Sequence, residues 1–449
     1  MKLILIACLS ALLATLSQAQ TIKFPADSLP ALLKIAEAEK KAIFILLNSD
    51  NSSTFPRVVK LESDKKAATF FNSNFINYRP ECNTAEFNEL VKKYFVIKFP
   101  AYLYLDEKGN LLNSSAGLAL SGERYIEDAK AALDKKESGK TLSWYNESYA
   151  NGNRSREFLG EYISERMKLG LIDNYKLIDD YAFQLTLGDF ENFEMVAFLL
   201  NAGPVAYGRV HKQMSPKLTD CIFKTLPEQK RYEINNKIIH NTKLAAVEKK
   251  SLDIAKNGAG FAGSTWGGNF RRAEMAYQSN IIEYYREVKD TANFLKTLDL
   301  FIYNFYMNLS ADSIKKLSPN LKNMEKKAML LLTRNIPTDT ADKGRLLLAG
   351  ANAHPNTVPD ELNNAAWDFY LYGKNNRNYL NKAAEWSKRS LDFYQKPEYY
   401  DTLAHLLYGL EDFAGAEITQ MKAIKEAKKQ QQESDKFRDE LNKIKERRL

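Results

Sequence analysis

The chain has 449 residues, of which 45% are apolar and 12% aromatic, so it can bury sizeable cores and does not have the composition of a disordered protein. Its formal net charge of +8 is modest for this length, which favours solubility and argues against nucleic acid as a partner. Three cysteines are too few for a disulfide framework, and at most one disulfide bond can form.

Residues 1–19 have the features of a secretory signal peptide. Lys2 precedes an apolar run from Leu3 to Leu16, and small residues lead to Ala19, after which cleavage would leave Gln20 as the first residue. An alternative is lipidation at Cys8, which ends a lipobox-like tetrapeptide but follows too short an apolar region. Because no other stretch approaches the ~20 apolar residues that span a bilayer, we expect a periplasmic or secreted protein without a membrane span.

Residues 20–137 show alternating strand and helix patterns. Apolar residues at helical spacing predict a helix over Leu29–Lys41, and the continuous apolar run Ala42–Leu47 is typical of a strand that is buried on both faces. Turn chemistry at Lys108-Gly109-Asn110 predicts a β-hairpin. The other predicted elements are helices over 58–61, 67–71, 87–93 and 125–133 and a strand over 75–78. We therefore predict an α/β domain.

The segments AEKKAIFILL, FFNSNFINY and LVKKYFVIKFPAYLYLDEKGNLL, in this order, resemble the thioredoxin-like domains of exported bacterial proteins, over roughly residues 25–135. The most specific element is Phe99-Pro100 before a strand. The resemblance implies that Pro100 is a cis-proline beside the family's active site, and an X-Pro bond can be cis at modest cost.

The family's active site depends on a Cys-x-x-Cys motif at the start of a helix, where the helix N-terminus lowers a thiol pKa. Here the aligned positions are Ser52-Ser53-Thr54-Phe55, so both cysteines are missing. The family's buried acid also corresponds to Leu46 or Leu47. The resemblance therefore implies a degenerate active site at Ser52, Phe55 and Pro100, in a domain that is kept for its fold or its binding surface.

Two cysteines remain after the signal peptide. Cys82 follows the predicted strand 75–78. It is either a lone thiol that forms mixed disulfides or an inert, partly buried side chain. The second alternative is favoured because no second cysteine is near enough in sequence to resolve a mixed disulfide. Cys221 lies among Leu218, Ile222 and Phe223, and we expect it in a core.

A linker is predicted at residues 138–140, at the start of an α-helical domain over 138–355. Within it, residues 258–263 match GxGxxG, but a helix is expected before them, over residues 244–256, instead of the strand that a dinucleotide site requires. Asn257-Gly258 is typical of a helix end, so we expect a loop through Gly268. If Trp266 is exposed in that loop, it is a candidate for ligand contact.

Residues 356–430 contain an internal repeat. Trp367, Ala383 and Ser390 recur 33 residues later as Tyr400, Ala416 and Ala423, which resembles the tetratricopeptide pattern of paired helices. Such repeats stack with a concave face that binds extended segments of partners. The candidates for that face are Asn363, Asn364 and Lys388. The alternative is that the repeats only brace the domain before them.

Residues 431–449 are predicted to form a charged helix or tail. From Lys422 onward ten Lys or Arg face six Asp or Glu, as in a solvated capping helix, or in a basic tail that meets an anionic surface.

The sequence favours two functions. One is an exported interaction or scaffold protein, with a redox-silent thioredoxin-like domain and a helical-repeat region, whose partners are proteins or peptides of the cell envelope. The alternative is a thiol-disulfide oxidoreductase or chaperone-like protein that uses Cys82. No Walker loop, GxSxG or HExxH motif occurs, so we predict neither a cofactor nor a metal, and we lean against an enzyme.

Overall fold

The computed structural model describes residues 21–48, 61–82, 84–94, 96, 99–119, 121–310, 345–346 and 358–449. These residues belong to two compact units. The first contains residues 21–185 with 345–346, and the second contains residues 186–310 and 358–449. The signal peptide predicted over residues 1–19 lies outside the described residues. The domain bounds predicted at residues 137 and 355 follow composition and stay a prediction.

The first unit begins with alternating helices and strands and continues with helices over residues 122–182. Its elements are α1 (Leu29–Glu39), β1 (Ala42–Leu47), a 3-10 turn (Leu61–Ser63), α2 (Lys65–Asn74), β2 (Phe75–Tyr78), α3 (Ala85–Lys93), β3 (Ala101–Leu105), β4 (Leu111–Ala116), β5 (Leu118–Ala119), α4 (Gly122–Ser138), α5 (Leu142–Ala150), α6 (Arg156–Lys168) and α7 (Tyr175–Ala182). The two-residue strand β5 pairs with β6 (Arg345–Leu346). Leu61 was predicted to end a helix and instead begins the 3-10 turn.

Four strands form a mixed sheet in the order β2-β1-β3-β4. Strand β1 runs parallel to β2, with Ala42 opposite Phe75, and antiparallel to β3, with Ile45 opposite Leu103. Strands β3 and β4 form the predicted hairpin, and Gly109 supplies the positive φ of 81° that its turn requires. The prediction of an α/β region followed by a mostly helical chain is confirmed at this level.

Both faces of the sheet are covered, as the run Ala42–Leu47 predicts. Every residue of β1 is buried. One face packs aromatic side chains such as Phe44 and Tyr104 against α2 and α4, and the other packs Ile43 and Ile45 against α1 and α3. Alternation of side chains along a strand therefore supplies two separate cores.

The helices after Gly139 belong to the first unit and contact its sheet and α4. Gly139 ends α4 in the left-handed conformation, with φ 69°. The Ser114 hydroxyl on β4 donates to the Leu169 carbonyl at 2.7 Å, and Lys135 pairs with Glu165 at 2.7 Å. The predicted linker is thus a short turn between packed helices.

The second unit consists of helices. They are a 3-10 turn (Leu187–Glu191), α8 (Phe193–Ala202), α9 (Arg209–Gln213), α10 (Pro216–Thr225), α11 (Glu228–Glu248), α12 (Leu252–Ser264), α13 (Phe270–Glu287), α14 (Thr291–Ile302), a π-helical turn (Tyr303–Met307), α15 (Val358–Gly373), α16 (Arg377–Phe393), α17 (Pro397–Gly409), α18 (Phe413–Lys429) and α19 (Asp435–Lys445). Among the described residues, none of the helices combines the length and apolar character needed to cross a bilayer.

Helices α15 to α18 form two successive helical pairs, α15 with α16 and α17 with α18. The repeated small residues Ala383 and Ala416 are fully buried, at 0% exposure. A small side chain at such a position lets neighbouring helices approach closely, because there is little volume between them. The tetratricopeptide-like repeat itself stays a prediction.

Candidate functional site

The first candidate surface lies where Pro100 precedes β3. The Phe99–Pro100 peptide bond is cis, and Pro100 is half-buried. Phe99 stacks on Phe87 of α3 with ring centroids 5.7 Å apart. Ser52 and Phe55, the aligned active-site positions, lie outside the described residues, so of the three predicted positions the structure places Pro100 alone.

Cys82 lies just after β2 and is half-buried and free. It packs against the apolar core under α1 and α3. Nearby, the Tyr78 hydroxyl donates to Glu86 Oε2 at 2.5 Å, and burial together with that carboxylate raises the pKa of Tyr78 above its usual range. Cys82 is therefore partly accessible, and its surroundings are mainly apolar.

Cys221 is exposed on α10, so the prediction that it lies in a core is wrong. Its neighbour Ile222 is 2% exposed and lies on the buried face of this helix. Successive helical residues point about 100° apart, so that burying Ile222 turns Cys221 outward. The apolar residues around Cys221 in sequence did not distinguish which of them faced the core.

The glycine-rich segment is helical, and the predicted loop over residues 258–263 is wrong. Gly258 and Gly263 lie in α12, at positions where atoms of neighbouring helices come too close for a side chain. A Cβ at Gly258 would lie 2.9 Å from Thr242 Cγ2, and one at Gly263 would lie 3.1 Å from the Ala273 carbonyl oxygen. The helix predicted over 244–256 is instead interrupted by the turn that holds Lys250, with φ 47°. Tertiary packing outweighs the weak helix propensity of glycine here.

Trp266 does lie in a connection, between α12 and α13, and is 43% exposed. The Arg272 guanidinium lies over its ring at 5.2 Å from the centroid. The indole is therefore available for contact, as the prediction required, and a cation accompanies it.

The three polar candidates of the helical pairs differ in exposure. Asn364 on α15 and Lys388 on α16 are exposed, whereas Asn363 is 7% exposed. Among the described residues, Asn363 Oδ1 has no hydrogen-bond partner. A buried amide oxygen without a partner is costly, which distinguishes Asn363 from its exposed neighbour.

A buried polar cluster connects α17, α18 and α19. His405 Nδ1 lies 2.9 Å from the Asp401 carbonyl oxygen, and His405 Nε2 lies 3.3 Å from Glu440 Oε2. Gln420 Nε2 donates to Asp401 Oδ1 at 2.6 Å and to the Phe437 carbonyl at 3.1 Å. Burial raises the pKa of Asp401, although His405 and the Gln420 hydrogen bond oppose the shift.

The His405 imidazole connects two helices. A carbonyl oxygen only accepts hydrogen bonds, so His405 Nδ1 must be the donor to Asp401. Its Nε2 faces the Glu440 carboxylate on α19. The imidazole is packed edge-on against Trp367 and Tyr370, at 5.1 and 5.4 Å. The arrangement ties α19 to α17.

The partners of His405 were not predicted from the sequence. Asp401 stands four residues before His405, which is one helical turn, and this spacing was an available signal. Gln420 and Glu440 come from other helices, so only the packing brings them together.

Across the described residues, no group of three or more His, Cys, Asp or Glu side chains is arranged to hold a metal ion. No protein-family model and no curated protein sequence matches the chain.

Proposed function

We propose that this chain is an exported interaction protein of the cell envelope. A redox-silent thioredoxin-like domain occupies roughly residues 25–135, and tetratricopeptide-like helical pairs over residues 356–430 bind extended segments of partner proteins. The order β2-β1-β3-β4, with β1 and β2 parallel and the β3–β4 hairpin antiparallel, supports the first part. Two successive helical pairs with buried small residues support the second.

The position of the cysteines is the observation that carries the redox-silent assignment. After residue 19 the sequence has only Cys82 and Cys221. They belong to different compact units, and both are free. Catalysed dithiol-disulfide exchange needs a second thiol that resolves the mixed disulfide. Neither unit supplies such a pair after removal of the signal peptide.

Insulin reduction by dithiothreitol tests this assignment. We expect the chain from residue 20 onward to leave the rate of insulin precipitation at the value given by dithiothreitol alone, with the same result for Cys82→Ser. Cys221→Ser is the matched control, because it removes the other thiol. Acceleration by the wild type that disappears in Cys82→Ser and persists in Cys221→Ser would establish the oxidoreductase alternative instead.

Partner capture tests the binding assignment. The full chain is used as bait in an envelope extract beside the double variant Asn364→Ala, Lys388→Ala. The matched control is Lys374→Ala, Asn375→Ala, which removes the same side-chain types from the exposed turn after α15.

We expect the double variant to capture at least several-fold less of the partner, because exposed polar contacts contribute about 1 kcal/mol each when they are truncated. We expect the control to capture as much as the wild type. If the double variant captures as much partner as the control, Asn364 and Lys388 are not part of the binding face.

A further inference from the structure

Three large aromatic side chains of the second unit are exposed on neighbouring connections. Tyr232 on the first turns of α11 is 61% exposed, Trp266 is 43% exposed, and Phe270 at the start of α13 is 85% exposed. All residues from 227 to 232 and from 264 to 272 are exposed. Exposed aromatic residues that occur together are characteristic of interaction surfaces.

These two stretches lie at the same end of one helical hairpin. Helices α11 and α12 are joined by the turn around Lys250, and Gly258 on α12 contacts Thr242 on α11. Both residues are eight positions from Lys250, so the helices run antiparallel and in step. By the same count Ser264, the last residue of α12, is level with Asn236 on α11, and Tyr232 lies about one helical turn beyond Asn236.

The α12–α13 connection stays at that end because α13 packs back along α12. The Ala273 carbonyl oxygen lies against Gly263, 3.1 Å from the position of a Cβ there. Phe270 is three residues before Ala273, at the start of α13. The residues of this surface, which we call the aromatic basic end, are Lys224, Lys230, Arg231, Tyr232, Trp266, Phe270, Arg271 and Arg272.

Cations surround the exposed rings. Five Lys or Arg belong to the aromatic basic end, and the carboxylates on the same stretches are Glu228, Glu233 and Glu274. Glu233 pairs with Lys230 at 3.0 Å, and Glu274 accepts a hydrogen bond from Gln278 at 2.8 Å. Within the described part of the chain, Lys224 and Arg231 have no carboxylate partner.

The remaining two guanidinium groups are held beside aromatic rings. Arg271 donates to the Phe305 carbonyl at 2.7 Å, and Arg272 lies over the Trp266 ring. Both side chains are nevertheless exposed. A guanidinium next to an exposed aromatic ring keeps its charge in water while the ring contacts a less polar phase.

We propose that the aromatic basic end binds the surface of a bilayer that contains anionic phospholipids. Trp, Tyr and Phe rings enter the headgroup region, and Lys and Arg side chains pair with lipid phosphates. Every residue of the stretches 227–232 and 264–272 is exposed, so their rings and cations are presented to solvent together. The five cations complement the negative charge of an anionic bilayer, and exposed aromatic rings are enriched at the level of lipid headgroups.

Vesicle binding by the full chain from residue 20 onward tests this proposal. Vesicles of phosphatidylcholine alone are compared with vesicles of about one third phosphatidylglycerol, at about 100 mM salt, where the screening length is about 10 Å. We expect co-sedimentation and a blue shift of tryptophan emission with the anionic vesicles. Replacement Trp266→Phe should abolish the shift while most of the binding remains.

Two variants separate charge from apolar contact. The charge variant is Lys224→Gln, Arg231→Gln, Arg272→Gln, and we expect its partition coefficient to fall on the order of a hundredfold, since each cation near an anionic surface contributes about fivefold. The apolar variant is Trp266→Ser, Phe270→Ser, and we expect a loss of at least about tenfold.

Matched controls carry the same changes elsewhere. Lys422→Gln, Lys425→Gln, Lys428→Gln removes three exposed charges from α18 and leaves the same net charge as the charge variant. Ile418→Ser, Met421→Ser removes two apolar side chains that are 53% and 45% exposed. Both controls should bind as the wild type does. The charge-conserving set Lys224→Arg, Arg231→Lys, Arg272→Lys should retain binding.

Several outcomes would overturn the proposal. They are absence of wild-type binding, equal binding to neutral vesicles, and equal loss in the α18 controls. Capture of polyglutamate instead of vesicles, with the same dependence on the charge variant, would assign the surface to acidic proteins. None of these results bears on the cysteine assignment.

Discussion

The contact between Gly258 and Thr242 predicts opposite effects for two alanine substitutions in α12. A Cβ at Gly258 would lie 2.9 Å from Thr242 Cγ2 and 3.2 Å from its Cβ. Thr242 is held in place, because its hydroxyl accepts from the Ala206 N–H at 2.8 Å and donates to the Ile238 carbonyl at 2.6 Å. At Gly260, two residues further on, a Cβ would meet no atom within 4 Å.

The expected magnitudes follow from two opposing terms. Either substitution removes the helix penalty of glycine, about 0.8–1.0 kcal/mol. At Gly258 the added methyl also overpacks the contact with α11, which costs about 1–3 kcal/mol. We therefore expect Gly258→Ala to lower the free energy of unfolding by about 1 kcal/mol and Gly260→Ala to raise it by about 1 kcal/mol.

Equilibrium unfolding in urea, followed by circular dichroism, measures both changes, provided that the denaturant slope is unchanged. Thr242→Ser keeps the hydroxyl and removes Cγ2, so in that background Gly258→Ala should lose most of its penalty. The double-mutant cycle isolates this contact. The reasoning is refuted if the two alanine variants are equally stabilising, or if Thr242→Ser leaves the effect of Gly258→Ala unchanged.

Three further predictions concern the first unit. Phe44 is fully buried among aromatic rings, and its ring centroid lies 4.5 Å from that of Phe71. Phe44→Ala should therefore lower the free energy of unfolding, measured by urea titration, by about 3–5 kcal/mol. A loss below about 1 kcal/mol would contradict this packing. Asp64 caps α2, because its side chain accepts a hydrogen bond from the N–H of residue 67 at 2.8 Å. Asp64→Ala should therefore lower the thermal midpoint by the equivalent of about 1 kcal/mol, whereas Asp64→Asn should retain most of the stability. Equal losses in the two variants would argue against the cap. A hydrogen bond from Lys136 lowers the pKa of Glu107 below its usual 4.5, so the stabilisation is complete above that value and is lost as the pH falls through the lower folded-state pKa. Glu107→Gln should therefore cost up to about 1 kcal/mol at neutral pH and nothing in strong acid, as measured by unfolding across pH; a cost that grows toward acid would reverse the sign.

Local patterns were sufficient to predict the α/β region. The run Ala42–Leu47 predicted a strand covered on both faces, and all six residues are buried. The Lys108-Gly109-Asn110 turn predicted the hairpin, which forms between β3 and β4. These predictions succeed because strand alternation, helical spacing and turn chemistry act over a few residues.

Predictions failed where a long-range contact opposed a local preference. Glycine at positions 258 and 263 favoured a loop, but close approach of α11 and of the Ala273 carbonyl makes glycine the residue that fits inside the helix. The apolar neighbours of Cys221 favoured burial, but the direction of α10 is set by Ile222. Neither contact has a signature in the adjacent sequence.

For this protein the amino-acid sequence by itself determined the strands of the α/β region, the buried character of β1, the scarcity of thiols and the existence of a charged C-terminal stretch. Only the tertiary structure brought His405 to Glu440, and placed Trp266 at the same end of a hairpin as Tyr232. The physical reason is that periodicity in the sequence shows which face of a helix or strand is buried. Which residues distant in sequence contact that face depends on side-chain shape and on how the helices pack against one another.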